Sequence, residues 1–434
     1  MEYTVRRQPR RAGMAKPKTT LLIHLWLFLT RVFAFLFKLS ARRAHRRMDA
    51  QPQRFAERLG QTDQTTNGPV IWFHAASLGE VMQIGPLVRQ LTKSEAKPIL
   101  VTTTTQAGAD WVAKELPDVI HQFAPIDTPG AVQGFLETWA LAAAIFIEGD
   151  LWPRLVLEVQ RRGTSCILLN ARDSRTRARL PATFNAMLAS FTLITCRSNQ
   201  VASDLRALGL PDTLIKVLPD LRIANADLPC PDDVVATLIG QLGARPVWLA
   251  ASTHPADEDP VLAAHQHVMT TRPDALLIIA PRHPHRAEPL ISQARDRNMR
   301  IARRSIGEPL TPETQIYLAD TLGELGVFFS LTPITFLGGS FGNEGGHNPY
   351  EPARFGSAIL SGPNVRNFTD AYAALSDTGA AERVKDTTSL GPRLATLINT
   401  DAAHAMGQGG QTFMQTSDSS VTDTIAMIKD VLKT

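Results

Sequence analysis

The feature that most constrains this chain is a strand-then-helix alternation that runs once, stops and starts again. After a polar linker (residues 50–68), VIWFH (70–74) is followed by a helical repeat in which Val81, Ile84, Val88 and Leu91 recur. PILVTTTT (98–105), AAAIFIEGDLWP (142–153), SCILLNAR (165–172), FTLITCRS (191–198) and IKVLPDLR (215–222) continue the pattern. A polar, proline-containing stretch at residues 224–233 interrupts it. PVWLAASTHPADED (246–259) then restarts it, followed by DALLIIAPRHPHRAE, QIYLADTLGELGVFFS, ITFLGGSFGNEGGHNPYEPARFG and SAILSGP, with a last helix near residues 422–432. Strands separated by helices pair in parallel and need helices on both faces. The expectation is an α/β chain of two Rossmann-like parallel-sheet domains facing across a cleft. Residues 1–50 form a basic N-terminus with an apolar helix, 51–225 the first domain and 226–434 the second. A two-domain cleft suits a sugar-nucleotide enzyme or a periplasmic-type binder.

Charge and cysteine choose between these. The net charge is +4 and the pI about 9.0, but the basic residues cluster. Arg6, Arg7, Arg10, Arg11, Lys16 and Lys18 precede the stretch LLIHLWLFLTRVFAFLF (21–37), and Lys38, Arg42, Arg43, Arg46 and Arg47 follow it. Aromatic residues are 6% of the chain, and none interleave with these clusters, so no base-stacking surface and no nucleic-acid partner is expected. Cys166, Cys196 and Cys230 are widely spaced, which points to reduced thiols, a cytoplasmic body and no structural metal. Reduced cysteines and the basic N-terminus favour the sugar-nucleotide enzyme.

Residues 21–37 are at the short limit for a membrane span, and they contain His24 and Arg31. Both flanks are basic, so charge chooses no orientation. A helix lying in the cytoplasmic leaflet, with Trp26 and the phenylalanines down and the flanks on anionic lipid, is the expectation over a spanning one. A soluble helix packed on the body is the alternative.

Five constellations carry chemistry. In the first, Ser77, Gly79 and Glu80 follow a strand end; Glu80 either caps the next helix or acts chemically. In the second, Glu148 and Asp150 end another strand of the same half. Two carboxylates in one crevice shift each other's pKa and can share acid–base work, unless Glu148 caps a turn or pairs with Arg172. The third is Arg172 followed by Arg175, Arg177 and Arg179, either a site for a polyanionic ligand or a solvated face. The fourth is Arg282 and His283 in a proline-stiffened loop, aimed at an anion or merely solvated. The fifth is Gly338, Gly339 and Ser340, then Gly345, Gly346, His347, Asn348, Pro349, Tyr350 and Glu351. There the glycines let backbone amides approach a phosphate at a helix start. Glu351 can accept two ribose hydroxyls, or serve as helix-terminal charge.

GGSFGNEGGHNPYEPARFG resembles the GGS…GGHNPLEPA…G pattern of bacterial 3-deoxy-D-manno-octulosonic acid (Kdo) transferases. HAASLGEV, APIDTPGAVQGFL, NARDSRTRA, APRHPHR and DTLGELGVFFS are similar to further blocks of that family, in family order over residues 68–370. The resemblance implies a GT-B glycosyltransferase with an N-terminal membrane-binding helix. It implies transfer of Kdo from CMP-Kdo to the lipid A precursor (lipid IVA) at the cytoplasmic face of the inner membrane, without a cofactor. It implies that Glu80 is the general base, with Glu148 beside it. Ser77, Gly79, Arg172, Arg175 and Arg177 would meet the acceptor or the sugar acid. Arg282, His283, Gly339, Ser340, Gly346, His347, Asn348 and Glu351 would hold the nucleotide. Two blocks depart from the family. Glu148-Gly149-Asp150-Leu151-Trp152-Pro153-Arg154 stands for E-T-E-L-W-P-N, and Pro219-Asp220-Leu221-Arg222 stands for G-N-L-K. Other readings are a diverged GT-B transferase or an epimerase on another nucleotide sugar, and a binding protein without turnover.

Overall fold

The computed structural model describes residues 19–398 and 400–433; the basic residues before Thr19 lie outside this range. The chain forms two compact units. One comprises residues 1–224 and 419–434, the other residues 225–418.

The first unit is a seven-stranded sheet. Its strands are β1 (Val70–His74), β2 (Ile99–Thr103), β3 (Ile120–Phe123), β4 (Leu141–Ile147), β5 (Ser165–Ala171), β6 (Leu193–Cys196) and β7 (Ile215–Val217). Their order is β3-β2-β1-β4-β5-β6-β7 and every pair is parallel. All of β1, β2 and β5 is buried, as a sheet covered on both faces requires. The strand order reverses between β1 and β4, which is where ligands bind open α/β sheets.

The second unit repeats the plan with β8 (Val247–Thr253), β9 (Leu276–Pro281), β10 (Ile301–Arg303), β11 (Ile316–Leu318), β12 (Ile334–Leu337), β13 (Ala358–Ser361) and β14 (Ala381–Arg383). The order is β10-β11-β9-β8-β12-β13-β14, again all parallel. Its reversal lies between β8 and β12. Gly338 follows β12 at this point. A Cβ there would stand 2.6 Å from the Ser252 carbonyl oxygen and from Thr253 Cα, so only glycine lets the two strand ends approach this closely. The two Rossmann-like domains are those expected.

Three expectations need correction. The second domain does not run to residue 434. The helix Ser420–Lys433 belongs to the first unit, where Val421, Ile425 and Ile428 join the apolar cluster of Ile84, Val88 and Ile145. Its apolar stripe has its partner there, on the helix Leu78–Ser94. Both passages of the chain, Asp227 and Asp418, are held by Arg354: Nε stands 3.1 Å from Asp227 Oδ1 and Nη2 2.6 Å from Asp418 Oδ1.

Residues 21–37 are not one helix. They fall in α1 (Leu21–Val32) and α2 (Ala34–Arg47), bent by 79° at Phe33. Among the described residues no single helix is long and apolar enough to cross a membrane. α1 packs on the first unit through Ile23, Trp26, Leu27 and Thr30, a spacing that follows one helical face. Its other faces leave Leu21 84% and Phe28 60% exposed, and Phe35 on α2 is 69% exposed.

Residues 50–68 are more than a linker. Pro52–Leu59 is a 3-10 helix whose Glu57 accepts the Phe123 amide at 2.7 Å. Arg54 and Arg58 both stack on the Phe123 ring.

Candidate active site

In the first unit, β1 ends at His74 and Ser77 caps α3 (Leu78–Ser94), accepting the Glu80 amide at 3.3 Å. Glu80 reaches back, accepting from Ala76 N at 2.8 Å and from Ser77 Oγ at 3.1 Å. The capping reading is therefore realised. The same carboxylate lines a cavity of about 870 Å³. Burial, with Glu148 adding to it, pushes Glu80 up to about 7 against the pull of its hydrogen bonds. The cap therefore leaves the carboxylate facing the cavity.

The cavity has two kinds of wall. One is polar: Glu80, Glu148, Asp150, Arg172 and Thr104. The other is apolar: Leu22, Leu25 and Leu29 of α1, with Trp152, Leu180 and Phe184. Glu148 and Asn170, at the ends of the neighbouring strands β4 and β5, both have left-handed backbones (φ 56° and 54°). Non-glycine residues hold such conformations where the surroundings enforce them. Here Gln83 Nε2 donates to Glu148 at 3.0 Å. Asn170 Nδ2 donates to Gln83 Oε1 at 2.6 Å and to Asp220 at 3.0 Å. Arg172 Nε stands 2.9 Å from Glu148 Oε2. The pairing with Arg172 that stood as the alternative to acid–base work for Glu148 thus forms, inside the pocket.

Other predicted residues divide. Arg177 lines the cavity but is turned inward, donating to the Arg172 carbonyl oxygen at 2.6 Å; it shapes the loop that presents Arg172. Arg175 is exposed and does not line the cavity. Gly79 is exposed, and a Cβ there would meet no atom within 4 Å. Two buried residues nearby had no individual role in the sequence reading. His74, buried, stands 3.2 Å from Asp150 through Nε2 and 3.0 Å from Thr102 Oγ1 through Nδ1. Asp220 is held below the usual carboxylate range: burial raises it, but Arg222 and Arg197 outweigh that. Its substitution for the family's Asn was the signal available.

The second unit gathers the other constellation at the ends of β8, β9 and β12. His347 stacks on His254 at 5.2 Å with Nε2 atoms 3.0 Å apart, and His283 meets His254 edge-on at 5.8 Å. Burial, then His254 and Arg282, push His347 down to about 4. Asn348 Nδ2 donates to Glu351 at 3.3 Å, while burial raises Glu351 to about 7. His254 was missed, because a lone histidine after a strand carries no motif.

The glycine loop corrects an expectation. The amides of Gly339, Ser340 and Phe341 donate to the buried carboxylate of Asp257 at 2.6, 3.3 and 3.1 Å. Gly345 and Gly346 donate to the Gly339 carbonyl oxygen. Ser340 Oγ donates to Leu337 O and accepts from Gly362 N. A nest of amides does attract an anion, but the anion is Asp257. Gly339, Ser340 and Gly346 build the loop rather than offering these groups to a phosphate. Among the described residues no cluster of three or more His, Cys, Asp or Glu could hold a metal ion.

Comparison with known proteins completes the assignment. The family model described as 3-deoxy-D-manno-octulosonic-acid transferase matches residues 53–225. A probable mitochondrial 3-deoxy-D-manno-octulosonic acid transferase of Arabidopsis thaliana is 34% identical over 336 residues, 74% of this chain and 75% of that one. The 3-deoxy-D-manno-octulosonic acid transferase of Haemophilus influenzae is 29% identical over 394 residues, 88% and 92% of the two chains. A crystal structure of a glycosyltransferase from Rickettsia africae superposes with a TM-score of 0.57 at 12% identity, covering 85% of this chain and 100% of that one, a likeness of fold. With the family's blocks lying at both strand-order reversals, the chain belongs to the 3-deoxy-D-manno-octulosonic acid (Kdo) transferase family.

Proposed function

We propose that the protein transfers Kdo from CMP-Kdo to the lipid A precursor lipid IVA in lipopolysaccharide biosynthesis, working at the cytoplasmic face of the inner membrane. The observation that carries this reading is the two-sided pocket of the first domain. A carboxylate raised to about 7 sits beside an apolar wall of leucines and aromatic rings, the chemistry that acyl chains would meet.

The reaction is a single displacement. An acceptor sugar hydroxyl attacks the anomeric carbon of Kdo. Glu80 takes the hydroxyl proton as the new C–O bond forms. The bond from the anomeric carbon to the CMP phosphate oxygen breaks, and CMP leaves with the electron pair. The configuration inverts, and no covalent intermediate, cofactor or metal is needed. Glu148 keeps Arg172 oriented toward an acceptor phosphate or the Kdo carboxylate. In the second domain Arg282 and His283 lie on the phosphate side of CMP, and His347, Asn348 and Glu351 face its sugar. The exposed apolar faces of α1 and α2, bordered by Arg31, Lys38, Arg42 and Arg43, rest on anionic lipid.

The test is transfer from CMP-Kdo to a tetraacylated lipid A precursor in detergent, read by mass spectrometry. The expected result is a mass gain of one or more Kdo units for the wild type and none for Glu80→Ala. No gain in the wild type, with CMP still bound, would move the assignment to another acceptor or sugar acid.

A further inference from the structure

Arg154 departs from the asparagine of the family pattern, and the structure shows what it does here. It is the second residue of the helix Pro153–Arg161, directly after Trp152 and Pro153 of the pocket wall. Its side chain turns away from the cavity into α1. Nη2 donates to Thr30 Oγ1 at 2.9 Å and to the Leu27 carbonyl oxygen; Nε reaches Thr30 Oγ1 at 3.3 Å. Thr30 is fully buried and passes its own hydrogen to the Trp26 carbonyl oxygen at 2.9 Å.

A second tie lies one turn away. Trp26 Nε1 donates to Asp127, whose carboxylate also accepts the amides of Arg154 at 3.0 Å and Leu155 at 2.8 Å. One helix start therefore grips α1 at Trp26, Leu27 and Thr30. Ridge packing alone lets a helix settle in several rotations, whereas directional hydrogen bonds to its backbone allow one. That rotation decides which side chains form the pocket wall. A step of one residue turns a helix by about 100° and would carry Leu22, Leu25 and Leu29 off the cavity.

We propose that Arg154 is a positioning residue for the acyl-bearing part of the acceptor. It fixes the rotation of α1 and so the apolar wall against which the acyl chains lie. This rests on the reading that the pocket takes a lipid acceptor.

The experiment compares Arg154→Ala, Arg154→Lys and Thr30→Val with the wild type. Thr30→Val removes the acceptor oxygen at nearly constant volume and decides the matter should Arg154→Ala fail to fold. Each protein is given CMP-Kdo with a tetraacylated disaccharide bisphosphate or its fully deacylated counterpart. The expected result is a KM for the acylated acceptor raised about tenfold in Arg154→Ala and Thr30→Val. The kcat, the KM for CMP-Kdo and the rate on the deacylated acceptor stay within about twofold. Arg154→Lys recovers part of the loss, because one ammonium can still reach Thr30. Hydrogen exchange across residues 21–32 speeds up in the variants. An unchanged KM for the acylated acceptor despite faster exchange would overturn the proposal and leave Arg154 a purely structural tie. Equal loss on both acceptors would overturn it too. A wild type that transfers to neither acceptor would instead overturn the functional reading on which the proposal rests.

Discussion

Glu80 accepts the amide hydrogen of Ala76 at 2.8 Å, so the carboxylate that faces the pocket also closes the first turn of its own helix. A group tied in this way cannot drift from the pocket when it changes charge. That makes its titration a clean signal.

The first prediction concerns pH. Burial raises Glu80 to about 7, and a general base must be ionised to work. kcat/KM therefore falls as pH drops through about 7, by about tenfold for each unit below it, and levels off above. A pH profile of transfer at saturating CMP-Kdo measures this. Glu80→Gln removes the limb and lowers turnover by about 10²–10⁴-fold, with CMP binding intact.

Asp220 supplies the second. It is buried between Asn170, Arg197 and Arg222, so Asp220→Asn removes the carboxylate charge that both guanidinium groups face. The expected cost to the first domain is about 3 kcal/mol or more, read by denaturant unfolding at pH 7. The native pKa is depressed, so the contribution is full above the ordinary carboxylate range. It is lost as pH falls through the native value. The variant's stability should depend less on pH in that acid range.

The third tests the nest. Asp257 takes the amides of Gly339, Ser340 and Phe341, and that of His254 at 2.9 Å. An asparagine keeps one accepting oxygen. Asp257→Asn should destabilise the second domain by about 2–4 kcal/mol and weaken CMP binding, as calorimetry would show. Gly338→Ala should do the same by forcing β12 away from β8.

The fourth concerns lipid. Phe28 and Phe35 are largely exposed. Burial of each in a bilayer contributes about 1.5–3 kcal/mol. The wild type should sediment with vesicles containing anionic lipid, and less so at high salt. Phe28→Asp with Phe35→Asp should stay in the supernatant at unchanged thermal stability. Equal sedimentation of both proteins would remove the membrane role from this surface.

The central strands were legible because a parallel sheet buried on both faces writes itself as continuous apolar runs, as in VIWFH and AAAIFI. The strands missed were β3 (IHQF), β10 (IAR) and β14 (AER). All are short and carry polar residues, and all three are sheet edges, where burial asks least of the sequence. Glu80, Glu148 and Arg172 were legible as strand-end residues out of keeping with a core. Asp257 was not, because an acidic residue in a helix's first turn looks the same whether it faces water or a nest. His74 ends a strand and opens the block HAASLGEV, but nothing beside it in sequence gives it a role. Its link to Asp150 joins residues 76 positions apart, and no local pattern records that. The bend at Phe33 was missed because apolar composition runs through it unbroken.

The return of the last helix to the first domain makes the second domain an insertion in the chain of the first. Residues 225–418 enter and leave through one neck, clasped by Arg354 between Asp227 and Asp418. The second half is therefore a cassette: a graft cut at those two points could exchange it without opening the first domain. A deletion from the C-terminus does the opposite. It strips cover from α3, the helix that carries Glu80, and so wounds the half of the molecule farthest from it in sequence.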